Sequence, residues 1–222
     1  DPYAYSQSDL ELLQFASDQI AIAIERKKAE KGLEESLKKL RSVLEGTIHA
    51  IAGIVETRDP YTAGHQRRVA DLACAIAHEM NLSEDRIEGI RMAATIHDIG
   101  KIAVPAEILS KPGELSDVEM SIIKTHSQVG YEILRGIDFP WPIAEIVYQH
   151  HERLDGSGYP RGLKGDEILL EARILAVADV VEAMVSHRPY RPALTLESAL
   201  REITENSGTL YDLSLIHISE PT

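Results

Sequence analysis

The stretch HHERLDGSGYP, His150 to Pro160, sets two adjacent histidines against a glycine-rich turn. Upstream, Pro142 suits the first turn of a helix carrying Ile143, Ile146, Val147 and His150, so the doubled histidine falls at a helix end. A related pair, His97-Asp98, closes a second apolar helix and leads into Ile99-Gly100-Lys101. That helix opens at Ser83 and shows Ile87, Ile90 and Ala94 on one face.

The same helical period extends in both directions. Thr62 is a candidate cap for a helix with Val69, Leu72, Ala73, Ile76 and Met80, ended by Asn81. Ser116-Asp117-Val118-Glu119 reads as a capping box ahead of one helix carrying Ile122, Ile123, His126, Val129 and Ile133. Glu171 to Ser186 forms another helix, and Thr195 caps a last one with Leu196, Leu200 and Ile203. Turn-rich segments separate them at Lys111-Pro112-Gly113, Asp155 to Pro160 and Arg188 to Pro192. No period-2 strand appears, so the expected fold is all-α.

Towards the N-terminus, Leu10, Leu13, Ala16, Ile20 and Ile24 keep helical spacing. Leu33, Leu37, Leu40 and Leu44 follow at steps of four, three and four in a highly charged block. This heptad-like stripe fits a coiled-coil linker joining two subunits, or a solvated helix packed on its own domain. The tail Leu213–Thr222 has no periodic relation to what precedes it and is read as foreign to the domain. The start at Asp1, without Met, suggests a fragment.

Composition sets limits. The 222 residues are 44% hydrophobic and 27% charged, a globular balance. Net charge is −13, which argues against nucleic acid as a partner and requires local cations or metal ions for any phosphate substrate. One cysteine, Cys74, excludes an internal disulfide and fits a reducing, cytoplasmic setting. No apolar run is long enough to cross a membrane.

Nine histidines are present, and His65, His97, His126, His150 and His151 stand where metal ligation is plausible, with Asp98 and Asp179 beside them. Imidazole and carboxylate together suit Zn, Mn or Fe. One ion takes about four to six donors, so seven candidates suggest two ions. His49, His78, His187 and His217 are read as ordinary surface or core residues. His126 and Asp179 lie on apolar stretches, where an unpaired polar group is costly.

Taken together, the chain resembles the HD-GYP branch of the HD-domain metal-dependent phosphohydrolases. HDIGK (97–101) matches the HD motif and HHERLDGSGYP (150–160) the GYP motif, with DPYTAGHQRRV (59–69), ILSKPGELSDVE (108–119), RILAVADVVEAM (173–184) and RPYR (188–191) in the same order. The resemblance implies an HD-type helical bundle that hydrolyses cyclic dinucleotides, chiefly cyclic di-GMP to linear pGpG or GMP. It implies two or three metal ions, often iron or manganese, held by His65, His97, Asp98, His126, His150, His151 and Asp179 with Asp98 bridging. Some members carry a glutamate for a third ion where this chain has Tyr61, which favours a dinuclear site here. The N-terminal helix is similar to the last helix of a GAF sensor domain. The organisation expected is therefore a GAF-like remnant over 1–28, a helical linker over 29–46, the phosphohydrolase over 47–212 and the tail over 213–222.

Asp98 and Lys101 are assigned to catalysis, Lys101 contacting phosphate or water unless it is a solvated surface lysine. Gly158 lets backbone approach a ligand or simply makes a tight turn, and Tyr159 can stack on a base. Arg188 and Arg191 can fork onto phosphates. Glu152 and Asp155 are expected to order the loop, and Arg67 and Arg68 to be solvated or paired. The partners expected are a cyclic dinucleotide and a second copy through residues 10–44. The rivals are hydrolysis of another cyclic dinucleotide, such as cyclic GMP-AMP, and a weakly catalytic binding module.

Overall fold

A computed structural model describes residues 6–59, 64–186 and 193–212. Nine α-helices and two short 3-10 turns make up the described regular structure, with one isolated bridge between Ser207 and Tyr211 and no strand. The chain divides into two compact units at Gly46/Thr47.

The first unit holds most of helix α1 (Gln7–Arg58). Ser6 and Asp9 cap its start reciprocally, each backbone N–H bonded to the other's side chain at 3.0 and 3.2 Å. Exposed pairs such as Arg26–Glu30 at 2.9 Å and Lys28–Glu25 at 3.0 Å add about 0.2–0.5 kcal/mol each. Leu33, Leu37, Leu40 and Leu44 are all exposed among the described residues. Of α1, only Ile48, Ala52 and Val55 are buried, all in the second unit.

The second unit is built on α2 (His65–Glu79), α3 (Glu84–Ile96), α4 (Ala106–Leu109), α5 (Asp117–Lys124), α6 (His126–Leu134), α7 (Ile143–Gln149), α8 (Leu170–Val185) and α9 (Leu196–Glu205). Ile87 and Ile90 of α3, Ile143 and Ile146 of α7, and Ile174 and Leu175 of α8 fill the centre. Each such side chain contributes about 1.5–3 kcal/mol of burial. Fully buried alanines, Ala73, Ala77, Ala93, Ala94 and Ala178, sit on α2, α3 and α8, where α2 packs against the other two. No helix is long and apolar enough to cross a membrane among the described residues.

The caps foreseen at Ser83, Ser116 and Thr195 form, with Ser116 making the full capping box. Asn81 takes a left-handed φ of 55° after α2. Two boundaries differ. The cap position of α2 is Gly64, and Thr62 lies outside the described residues. The single helix expected after Ser116 is two, broken at Thr125. Three consecutive side chains take over the carbonyls there: Thr125 Oγ1 donates to Ile122 O at 2.7 Å, His126 Nδ1 to Ile123 O at 2.7 Å, and Ser127 Oγ to Lys124 O at 3.3 Å.

Candidate metal centre

Helix ends bring the polar residues together. His65 is the first residue of α2, His97 and Asp98 follow α3, His126 begins α6, His150 and His151 follow α7, and Asp179 projects from mid-α8. Gly100 makes this convergence possible. A Cβ there would collide with the His126 carbonyl oxygen, so only glycine lets the turn after Asp98 press against the start of α6.

Two donor groups result. The donor atoms of His65, His97 and Asp98 lie within 4.8 Å of one another, and so do those of His126, His150 and His151. Asp179 joins the first, with Oδ1 3.2 Å from His65 Nε2 and 3.8 Å from His97 Nε2. Asp98 stands between them: Oδ2 is 3.6 Å from His97 Nε2, and Oδ1 is 3.5 Å from His126 Nε2. All seven side chains singled out as ligands are thus gathered, each buried except the half-buried His151.

The ring tautomers are fixed from behind. His97, His126 and His150 donate Nδ1–H to the carbonyls of Ala94, Ile123 and Val147 at 2.7, 2.7 and 2.6 Å. With Nδ1 of each ring committed to a carbonyl, Nε2 is the nitrogen turned towards the other donors. His126 Nε2 and His150 Nε2 face each other at 3.3 Å. Burial, reinforced by neighbouring imidazoles, pushes the His150 pKa down to about 3 and lowers those of His126 and His151 as well. Two unprotonated acceptors at that spacing repel unless a cation lies between them. Donors bound to one ion by bonds of about 2.0–2.2 Å sit roughly 2.9–3.5 Å apart, which the His126–His150 and His65–Asp179 spacings match. The donor set therefore fits divalent cations.

Burial opposes the charged form of Asp98, but Lys101, His97 and His126 outweigh it and hold the carboxyl well below the usual range. Asp179 behaves alike, its burial outweighed by the bond from His65 and the neighbouring imidazoles. Burial would lower the His65 pKa, yet its bonds to Asp179 and Glu182 raise it to about 9.

Lys101 is not a solvated surface lysine. Its side chain is 13% exposed, and Nζ lies 2.7 Å from Asp98 Oδ2 and 3.5 Å from Asp59 Oδ2. Burial works against its charge, but the Asp98 and Asp59 carboxylates prevail and raise its pKa. Tyr159 tilts against His151 with ring centroids 4.7 Å apart, at the rim of the second donor group. At Gly158 the close approach is to the chain itself, because a Cβ would strike Glu152 Cα and Arg153 N. Glu152 is buried and orders this loop, accepting from Arg161 N at 2.7 Å and Leu163 N at 3.0 Å, while Asp155 accepts from Ser157 N at 2.8 Å. Tyr61, Arg188 and Arg191 lie outside the described residues.

Sequence reading missed Glu182. It sits one helical turn after Asp179, accepts from His65 Nδ1, and is held by Arg68 and Ser186 at 2.6 Å each. Its signal was available: a glutamate at i+3 from a candidate ligand on an apolar helix. Asp59, the partner of Lys101, was given no role either, although it opens the DPYTAGHQRRV stretch that carries part of the resemblance.

Comparison with known proteins concerns the chain as a whole. The HD domain family matches residues 49–215. A cyclic di-GMP phosphodiesterase response regulator of Xanthomonas campestris is 45% identical over 168 residues, covering 75% of this chain and 44% of that protein. A 3'3'-cGAMP-specific phosphodiesterase of Vibrio cholerae is 42% identical over 170 residues, covering 76% of this chain and 37% of that one. The chain thus spans less than half the length of either relative. Among solved structures, an HDG"Y"P protein of Bdellovibrio bacteriovorus matches with a TM-score of 0.58 at 19% identity, over 69% of this chain and 49% of that one, a likeness of fold.

Proposed function

Because the chain belongs to the HD-domain family, in its HD-GYP branch, we propose that it is a metal-dependent phosphodiesterase that hydrolyses cyclic di-GMP to linear pGpG or GMP. The observation that carries the proposal is the pair of donor groups joined by Asp98, with two imidazole lone pairs facing each other inside.

In this reading His65, His97, Asp98 and Asp179 hold one divalent cation, and His126, His150, His151 and Asp98 a second; the donors suit Zn, Mn or Fe, and the family resemblance points to iron or manganese. Bound there, such ions polarise phosphoryl oxygens and lower the pKa of a bound water. The chain's own groups do the rest. Asp98 offers one oxygen to each donor group and fixes their separation. Lys101 keeps Asp98 charged and oriented through its 2.7 Å contact. Gly158 and Tyr159 shape the wall beside the second group, and Arg188 and Arg191 supply phosphate contacts. Dimerisation through the leucine stripe and a cytoplasmic setting belong to the same proposal.

The test is anaerobic purification, loading with Mn or Fe, elemental analysis, and chromatography of products from cyclic di-GMP and cyclic GMP-AMP. Two ions per chain and faster loss of cyclic di-GMP are expected. Preference for cyclic GMP-AMP moves the substrate assignment, and loaded protein that cleaves neither refutes the enzyme reading.

A further inference from the structure

Asp59 is buried, yet it belongs to neither donor group. It directly follows α1, and its backbone N–H donates to the Glu56 carbonyl at 3.2 Å. Ile48, Ala52 and Val55 seat that end of α1 in the second unit. From this anchored position Asp59 Oδ2 lies 3.5 Å from Lys101 Nζ, across 42 positions of sequence. Its neighbour Arg58 donates to the carbonyl of Ile102, the residue after Lys101. The end of α1 therefore grips the turn after Asp98 at two successive residues.

What this grip does depends on the oxygen that Lys101 touches. Nζ is 2.7 Å from Asp98 Oδ2, and the same oxygen faces His97 Nε2 at 3.6 Å. Oδ1 faces the second donor group, 3.5 Å from His126 Nε2. A cation held by His97 must therefore share Oδ2 with the Lys101 ammonium. Asp59 gives that ammonium a second carboxylate and takes up part of its attraction, which is strong in a buried setting. Without Asp59 the whole attraction falls on Oδ2, the oxygen that the first donor group needs.

We propose that Asp59 is a positioning residue of the metal centre: it acts through Lys101, holding the ammonium so that Asp98 keeps Oδ2 available to the first donor group. The inference rests on the two-ion phosphodiesterase reading.

The test compares wild type with Asp59→Asn, Asp59→Glu, Lys101→Met and the double variant Asp59→Asn/Lys101→Met. Mn affinity by competition with a chelator under anaerobic conditions, kcat and KM on cyclic di-GMP, and melting temperature are measured for each. Asp59→Asn keeps the shape and removes the charge. It should weaken one of two Mn-binding steps about tenfold, the lower end for an outer partner. It should also lower kcat while KM stays within about twofold. Asp59→Glu keeps the carboxylate and should restore most of the loss. The double variant should bind Mn within about twofold of Lys101→Met alone, because no ammonium is left to position. Losses that multiply in the double variant overturn the proposal, and so does an Asp59→Asn variant within about twofold of wild type at both Mn steps. If Lys101→Met does not fold, Lys101→Gln replaces it in the cycle and is read in the same way. The Mn measurements need no substrate. Wild type that binds two Mn but cleaves no cyclic dinucleotide thus overturns the phosphodiesterase reading, while the cycle still decides the role of Asp59.

Discussion

Replacing Glu182 tests whether the metal site depends on support from behind its donors. The carboxylate accepts from His65 Nδ1 and is held by Arg68 and Ser186. Burial opposes its charge, but the bonds from His65, Ser186 and Arg68 prevail and bring its pKa down to about 2. At neutral pH it is therefore ionised, and it fixes His65 with Nε2 turned towards Asp179. Glu182→Gln keeps an acceptor of the same shape and removes the charge, roughly halving the strength of the bond. Glu182→Ala removes the acceptor altogether. Losing such an outer partner costs about 10–100-fold in metal affinity, or about 1.4–2.7 kcal/mol. Gln should fall near the lower end and Ala near the upper. The assay is competition between protein and a chromophoric chelator for Mn under anaerobic conditions, with thermal melting as the folding check. One binding step should weaken and the other hold, because only the first donor group contains His65. The sign of the pH effect is also fixed. A carboxyl with a depressed pKa stabilises the fold above its usual 4.5 and loses that contribution as pH falls towards 2, so the wild-type advantage over Gln should shrink across that window. Both steps within twofold of wild type in a folded Ala variant would refute the reasoning.

Other outcomes follow from single contacts. Asp98→Ala should abolish hydrolysis and lower bound metal, since no neighbour can offer an oxygen to both groups; turnover near the wild-type rate would make Asp98 merely structural. Gly100→Ala should lower kcat/KM at least about tenfold and cost about 1–3 kcal/mol of stability, read by denaturant titration, because the new Cβ meets the His126 carbonyl. Leu37→Glu with Leu40→Glu should turn a dimer into a monomer by light scattering if the exposed stripe seats a second copy. A wild type already monomeric at high micromolar concentration would remove that partner.

Much of this protein is written locally. Helix period, the caps at Ser83, Ser116 and Thr195, and the run of histidines determine an all-helical chain with ligand types at helix ends, because capping and amphipathicity act within about four residues. Two motifs also suffice to suggest the reaction class. Tertiary structure decided what depends on distant segments meeting. Only packing sets His65 and Asp179 together across 114 positions, and brings Glu182 up behind His65. Only packing turns Lys101 inward onto Asp59 and lays Lys124 over Tyr159. The break at Thr125 belongs with these. The apolar pattern runs through it unbroken, yet His126 must face His150 while Gly100 presses on its carbonyl, and a continuous helix would leave neither contact in place. Such constraints arise between chain segments, and no local period records them.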